Sequence, residues 1–138
     1  MRVVLDTNVL VSAVINPHGA PGAILSLVLS GAVIPLFDDR ILDEYRDVLA
    51  RPKLRISRTE AEFIVDYIES EGVLLNALPL SADLLDPDDL PFIEVAISAT
   101  ADALVTGNTR HFVGTPLEGM VPVLTPAEFL SLWRSRNG

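Results

Sequence analysis

Five short apolar runs, at residues 2–5, 33–37, 73–75, 103–106 and 121–124, punctuate the chain, and the segments between them carry apolar residues at helical spacing. Runs of this length bounded by turn residues predict strands buried on both faces, and i, i+3, i+4 apolar spacing predicts helices. Strands that alternate with helices imply a parallel sheet. The pattern therefore predicts an α/β fold, a three-layer α/β/α domain with about five strands.

The helix boundaries are marked by capping residues. Asp38 is placed to cap a helix whose apolar face is Ile41, Leu42, Tyr45, Val48 and Leu49, and Pro52 stops it. Ser57 and Glu60 form a capping box before Ile64, Val65 and Ile68. Asp88-Asp89-Leu90-Pro91 opens a helix with Ile93, Ala96 and Ile97 inside and proline in its first turn. Thr125, Pro126 and Glu128 start the last helix, whose inner face is Phe129, Leu132 and Trp133.

Residues 7–37 contain no Asp, Glu, Lys or Arg and would register as a membrane span by hydropathy alone. Asn16-Pro17-His18-Gly19-Ala20-Pro21-Gly22, Ser30-Gly31 and Pro35 divide that stretch into pieces too short to cross ~30 Å of hydrocarbon. Two buried helices and a strand are expected instead, in a soluble, cytoplasmic protein. Asp6 interrupts the first apolar run far short of a signal-peptide core. With 138 residues, no repeat and no linker, the sequence reads as one domain, 1–138.

The absence of cysteine removes disulfides, zinc ribbons and thiol nucleophiles. A net charge of −9 argues against a protein that coats duplex DNA through its phosphates. It suits an enzyme whose bound cations neutralise clustered carboxylates, or a protein with a basic partner.

Three carboxylates sit where a surface role explains them poorly. Asp6 ends a buried-type strand, and ligands bind beyond the carboxyl ends of strands in open α/β sheets. Capping the next helix is an equally good account of it. Glu44 borders an apolar stripe, one turn after Ile41 and one before Val48, whereas Asp43 and Asp47 face outward. An ion pair at the edge of the stripe would explain Glu44 as well. Asp89 shares a helical face with Ile93, Ala96 and Ile97, and either Asp86 or Asp88 can cap the helix in its place. Carboxylates from separate elements at one sheet edge suit Mg²⁺ or Mn²⁺, hard cations that prefer oxygen ligands. A water activated by such an ion can attack a phosphodiester, so no side-chain nucleophile is needed.

The segments Leu5-Asp6-Thr7-Asn8-Val9-Leu10, Ile41-Leu42-Asp43-Glu44-Tyr45, Asp86-Pro87-Asp88-Asp89 with Phe92, Glu94 and Ala96, and Val105-Thr106-Gly107-Asn108 follow the order of PIN-domain proteins. Together with Val123-Leu124-Thr125-Pro126-Ala127-Glu128, they give a chain that resembles the bacterial branch of toxin components related to VapC. The resemblance spans essentially the whole chain and rests on four motifs in order, none specific alone. It implies a metal-dependent endoribonuclease using one or two Mg²⁺ or Mn²⁺ ions, an RNA substrate, an antitoxin protein partner and a homodimer. Asp6, Glu44 and Asp89 match the family's three main acids. Where the family often has a fourth Asp, this chain has Asn108, a neutral ligand that implies a weaker second ion site.

Further candidates surround these positions. Thr7, Asn8 and Thr106 are placed to orient Asp6 or a water, Arg110 to meet a substrate phosphate, and Glu94, well round its helix from Asp89, to act at most as a supporting residue. His111 reads as a packing residue. Arg51, Lys53, Arg55 and Arg58 form a basic loop, either solvated or in contact with RNA. A dehalogenase-like phosphatase would need an Asp at position 8, a receiver domain a lysine after a late strand, and a Rossmann domain its glycine fingerprint. The remaining rival is a PIN scaffold with weak catalysis that acts through protein binding.

Overall fold

The structure, a computed structural model, describes residues 1–81 and 86–137. Its strands β1 (Arg2–Leu5), β2 (Ile34–Phe37), β3 (Val73–Leu74), β4 (Ala103–Val105) and β5 (Val123–Leu124) form one parallel sheet in the order β3-β2-β1-β4-β5. The described helices are α1 (Thr7–Ile15), α2 (Ala20–Leu29), α3 (Asp39–Leu49), α4 (Arg58–Glu71), α5 (Leu90–Ala99) and α6 (Pro126–Asn137). Short 3₁₀ turns lie at Pro52–Leu54 and Thr109–Phe112.

The central strands β1 and β4 form the dry middle of the sheet, with Val3, Val4, Leu5, Ala103, Leu104 and Val105 buried between helices on the two faces. Helix α5 packs on β1, β2 and β4, while α6 packs on β4, β5 and α2. Tyr45 is fully buried beneath β1, and its hydroxyl donates to the Leu5 carbonyl. That bond holds α3 against the end of β1 and satisfies a phenol that burial would otherwise penalise.

The uncharged stretch of the sequence becomes α1, α2 and β2. The two helices meet at 101°, and no single helix among the described residues is long and apolar enough to cross a membrane. Val9, Leu10, Ile24 and Val28 supply core contacts instead. The bend depends on Gly22, where a Cβ would fall 2.1 Å from the Pro17 carbonyl oxygen.

The caps follow the sequence signals. Asp38 accepts from the Ile41 amide at 3.0 Å, and Ser57 from the Glu60 amide at 3.0 Å. Thr125 and Glu128 exchange reciprocal bonds of 2.9 and 3.2 Å, a complete capping box. On the last helix the buried pair is Phe129 and Leu130, whereas Leu132 and Trp133 are only partly covered.

Candidate functional site at the carboxyl edge of the sheet

The chain passes from β1 to β2 on one side and places β4 on the other, so the crevice of the sheet opens beyond the carboxyl ends of β1 and β4. Pairing of Leu5 with Val105 fixes the next residues in register, and the Asp6 amide donates to the Val105 carbonyl at 2.9 Å. Thr106 thereby stands beside Asp6 and donates its hydroxyl to the Asp6 carboxylate at 2.8 Å. The other Asp6 oxygen accepts from the Thr7 amide at 2.8 Å as the cap of α1. Capping and a place at the site are therefore compatible roles for this residue.

Glu44 reaches the same edge from α3. Its carboxylate accepts a short hydrogen bond from the Thr7 hydroxyl, so Thr7 touches Asp6 through its amide and Glu44 through its side chain. Asp43 and Asp47, by contrast, are largely exposed and pair with Arg46 and Arg51. Asp89 lies at the start of α5 with a helical backbone, and its carboxylate makes no hydrogen bond among the described residues. The turn before it is closed by Asp86, whose side chain accepts from Asp88 and whose carbonyl accepts from Asp89 and Leu90. Asp86 therefore does the turn-forming work and leaves Asp89 uncommitted.

All three carboxyls are pushed above their ordinary values, in each case first by burial. The Asp6 charge adds to the rise at Glu44 and Asp89, with Asp88 contributing to both and Asp86 to Asp89. Thr106 and the Thr7 amide oppose the rise at Asp6, as does the Thr7 hydroxyl at Glu44. Among the described residues none of the three has a salt-bridge partner. The result is a patch of negative charge short of cations. No group of three or more His, Asp or Glu among the described residues is drawn together closely enough to hold a metal ion as it stands. The carboxylates thus form a rim and not a closed shell.

Asn8 and Asn108 extend this edge. The Asn8 side chain donates to Asp6 at 3.4 Å and accepts from the Gly107 amide at 3.0 Å, tying the two strand ends together. Asn108 donates its amide to the Thr106 hydroxyl at 3.0 Å, while its side chain neither caps the following 3₁₀ turn nor makes another bond among the described residues. Glycine at 107 permits a turn through a glycine-only conformation. The chain makes no such turn there, since the Gly107 φ lies outside the left-handed region and a Cβ would only touch Asn8.

Glu94 makes its bonds away from the three acids, and the reading of His111 needs correction. Glu94 is buried at 3 % exposure and bonds Arg40 at 2.7 Å and the Leu80 amide at 2.6 Å, so it supports α3 and the chain before α5 and makes no bond to Asp6, Glu44 or Asp89. Arg40 also binds Asp38 at 2.7 Å, which completes a three-residue ion network. His111 is exposed, not packed; its neighbour Phe112 fills the core, and the His111 charge favours ionised Asp6 and Asp89. Arg110 is exposed on the same turn.

Arg40→Ala is expected to destabilise the fold by about 2 kcal/mol, below the ~3–5 kcal/mol of a fully buried pair because water reaches the half-exposed guanidinium. Glu94→Gln should cost less, since it keeps a hydrogen-bond acceptor and removes the buried charge. Urea unfolding midpoints check the order of the two; an Arg40→Ala midpoint equal to wild type would mean the network adds nothing.

A cleft of about 470 Å³ opens beside Glu44, lined also by Thr7, Asn8, Arg51, Lys53 and Asp88 with Val11, Val48 and Leu54. A smaller recess of about 280 Å³, lined by Gly107, Asn108 and Pro126, shares Asn8 and Ser12 with it. A larger cavity between α3 and α4 contains none of the three carboxylates. The participation of Arg51 and Lys53 was only half legible in the sequence, because the basic loop had no visible relation to Glu44.

Comparison with known proteins places residues 2–110 in a PIN-domain family model. An uncharacterized protein of Methanocaldococcus jannaschii is 34% identical over 111 residues, covering 78% of this chain and 71% of the relative. The crystal structure of VapBC2 from Rickettsia felis, bound to a DNA fragment from its promoter, contains a chain of the same fold. It matches with a TM-score of 0.58 and 20% identity, over 91% of this chain and 98% of that one.

Proposed function

Because the chain belongs to the PIN-domain family, whose members are generally nucleases, we propose that it is a divalent-metal-dependent endoribonuclease and the toxin of a toxin–antitoxin pair. The observation that carries this reading is the set of three carboxylates at the ends of β1 and α5 and on α3, held at one sheet edge above their ordinary pKa with no salt-bridge partner among the described residues. Oxygen donors of this kind fit Mg²⁺ or Mn²⁺, with Asp6, Glu44 and Asp89 as ligands and Asn108 as a neutral fourth. When bound, such an ion would neutralise phosphate charge and lower the pKa of a coordinated water.

The protein's own side chains prepare this edge. Thr106 and the Thr7 amide orient both oxygens of Asp6, the Thr7 hydroxyl orients Glu44, and Asn8 locks the two strand ends. Asp89 has no such tether among the described residues, so it can turn toward an ion. The Rickettsia felis complex supports a small antitoxin as partner, and a homodimer acting in the cytoplasm, where RNA is available, completes the reading.

The test is cleavage of a single-stranded RNA with Mn²⁺ and with EDTA, beside thermal melts in both. Divalent-dependent cleavage and a higher melting temperature in Mn²⁺ are expected. Neither response would leave a scaffold that acts through protein binding.

Asn108→Asp adds a charge to the recess beside Asn8. It is expected to tighten Mn²⁺ binding about tenfold, since charge count governs the affinity of oxygen sites for hard cations. Calorimetric titration decides this: equal affinity and stoichiometry in both proteins would remove residue 108 from the ion site.

A further inference from the structure

We propose that Arg51 and Lys53 form a phosphate-binding wall that seats the backbone of single-stranded RNA beside the carboxylates, an inference that rests on the ribonuclease reading. Both side chains line the same cleft as Thr7, Asn8 and Glu44. Arg51 lies close enough to Glu44 for its charge to favour the ionised carboxylate.

The local backbone fixes this placement. Helix α3 ends at Leu49, Pro52 begins a 3₁₀ turn with Lys53 at its centre, and Arg55 ends it in the left-handed region at φ 54°. That tight turn keeps residues 51 and 53 against the mouth of the cleft. Arg58, from the same basic run, lies outside it: it lines the cavity between α3 and α4 and pairs with Glu62.

Neither cation is strongly committed elsewhere among the described residues. Lys53 has no ion-pair partner among the described residues. Arg51 meets Asp47 only at 3.4 Å, with both side chains exposed, a contact of little energetic weight. In a chain of net charge −9, these two cations offset Glu44 and Asp88, the two acids that line the same cleft. A polyanion needs that offset to approach carboxylates that would otherwise repel it. The same cleft presents Val11, Val48 and Leu54, apolar surface on which a ribose or base can lie while phosphates meet the wall. The adjoining recess at Asn8 and Ser12 continues the track past the acids toward Asn108.

The experiment measures fluorescence anisotropy of a fluorescein-labelled 12-nucleotide single-stranded RNA at several salt concentrations. Asp89→Asn protein in Mn²⁺ serves as background, which slows cleavage and lies outside the cleft. Adding Lys53→Ala or Arg51→Ala should weaken binding and lower the steepness of the salt dependence by about 0.7 per lost phosphate contact. The double variant should lose about twice that, and Arg58→Ala should match the background. Unchanged affinity and salt dependence in the double variant, or no binding by the background protein at low salt, overturns the proposal. Binding that depends on Arg51 and Lys53 in a wild-type protein that fails to cleave would keep the wall and reject the nuclease.

Discussion

Asp6→Asn, Glu44→Gln and Asp89→Asn are each expected to lower Mn²⁺-dependent RNA cleavage by at least about a hundredfold while leaving the fold intact. Removing a group that merely orients a metal ligand typically costs ~10–100-fold, so losing the ligand itself costs no less. The amide replacements keep the local geometry. An asparagine at 6 can still accept from the Thr7 amide, and a glutamine at 44 can still accept from the Thr7 hydroxyl. Asp89 has no hydrogen bond to lose among the described residues. Circular dichroism and melting curves would confirm folding, and gel assays with excess Mn²⁺ would read the cleavage. A variant that cuts at the wild-type rate would remove its residue from the ligand set.

The fold was legible because its strands are short, wholly apolar and bounded by polar caps. Each predicted strand lies within two residues of an observed one. Strand order was not legible, since the pattern shows which segments are buried but not which lie side by side. The pairing of Leu5 with Val105, which sets Thr106 against Asp6, therefore emerged only from the structure. Glu94 shows the same gap from another direction. Helical spacing put it well round the helix from Asp89 but could not name its partners, Arg40 and Leu80, which come from two other parts of the chain. His111 was misjudged because two adjacent residues, 111 and 112, compete for one core position; the larger apolar ring of Phe112 takes it.

Asp89→Asn should also raise the melting temperature of the metal-free protein at neutral pH. The carboxyl is raised above its ordinary value by burial, then by Asp86 and Asp6, with Asp88 adding less and His111 opposing. A carboxyl whose folded pKa exceeds its unfolded value binds its proton more tightly in the native state. Its ionisation then costs stability at every pH above the folded value. That cost shrinks as pH falls through the folded value and is gone below the ordinary 3.8. The helix N-terminus works the other way by favouring a negative charge, yet the net shift is upward, so repulsion and burial prevail. After allowance for water around a half-exposed side chain, the gain is about 0.5 kcal/mol, or roughly 2 °C in a domain of this size. In EDTA the variant should melt higher than wild type at pH 7, and the two should converge as pH approaches 4. Mn²⁺ should reverse the order, because wild type at a hundredfold excess over Kd gains about 2.7 kcal/mol and the variant much less. A variant that melts lower than wild type in EDTA would make Asp89 a stabilising residue of the helix start, and equal Mn²⁺ gains would take it out of the ion site.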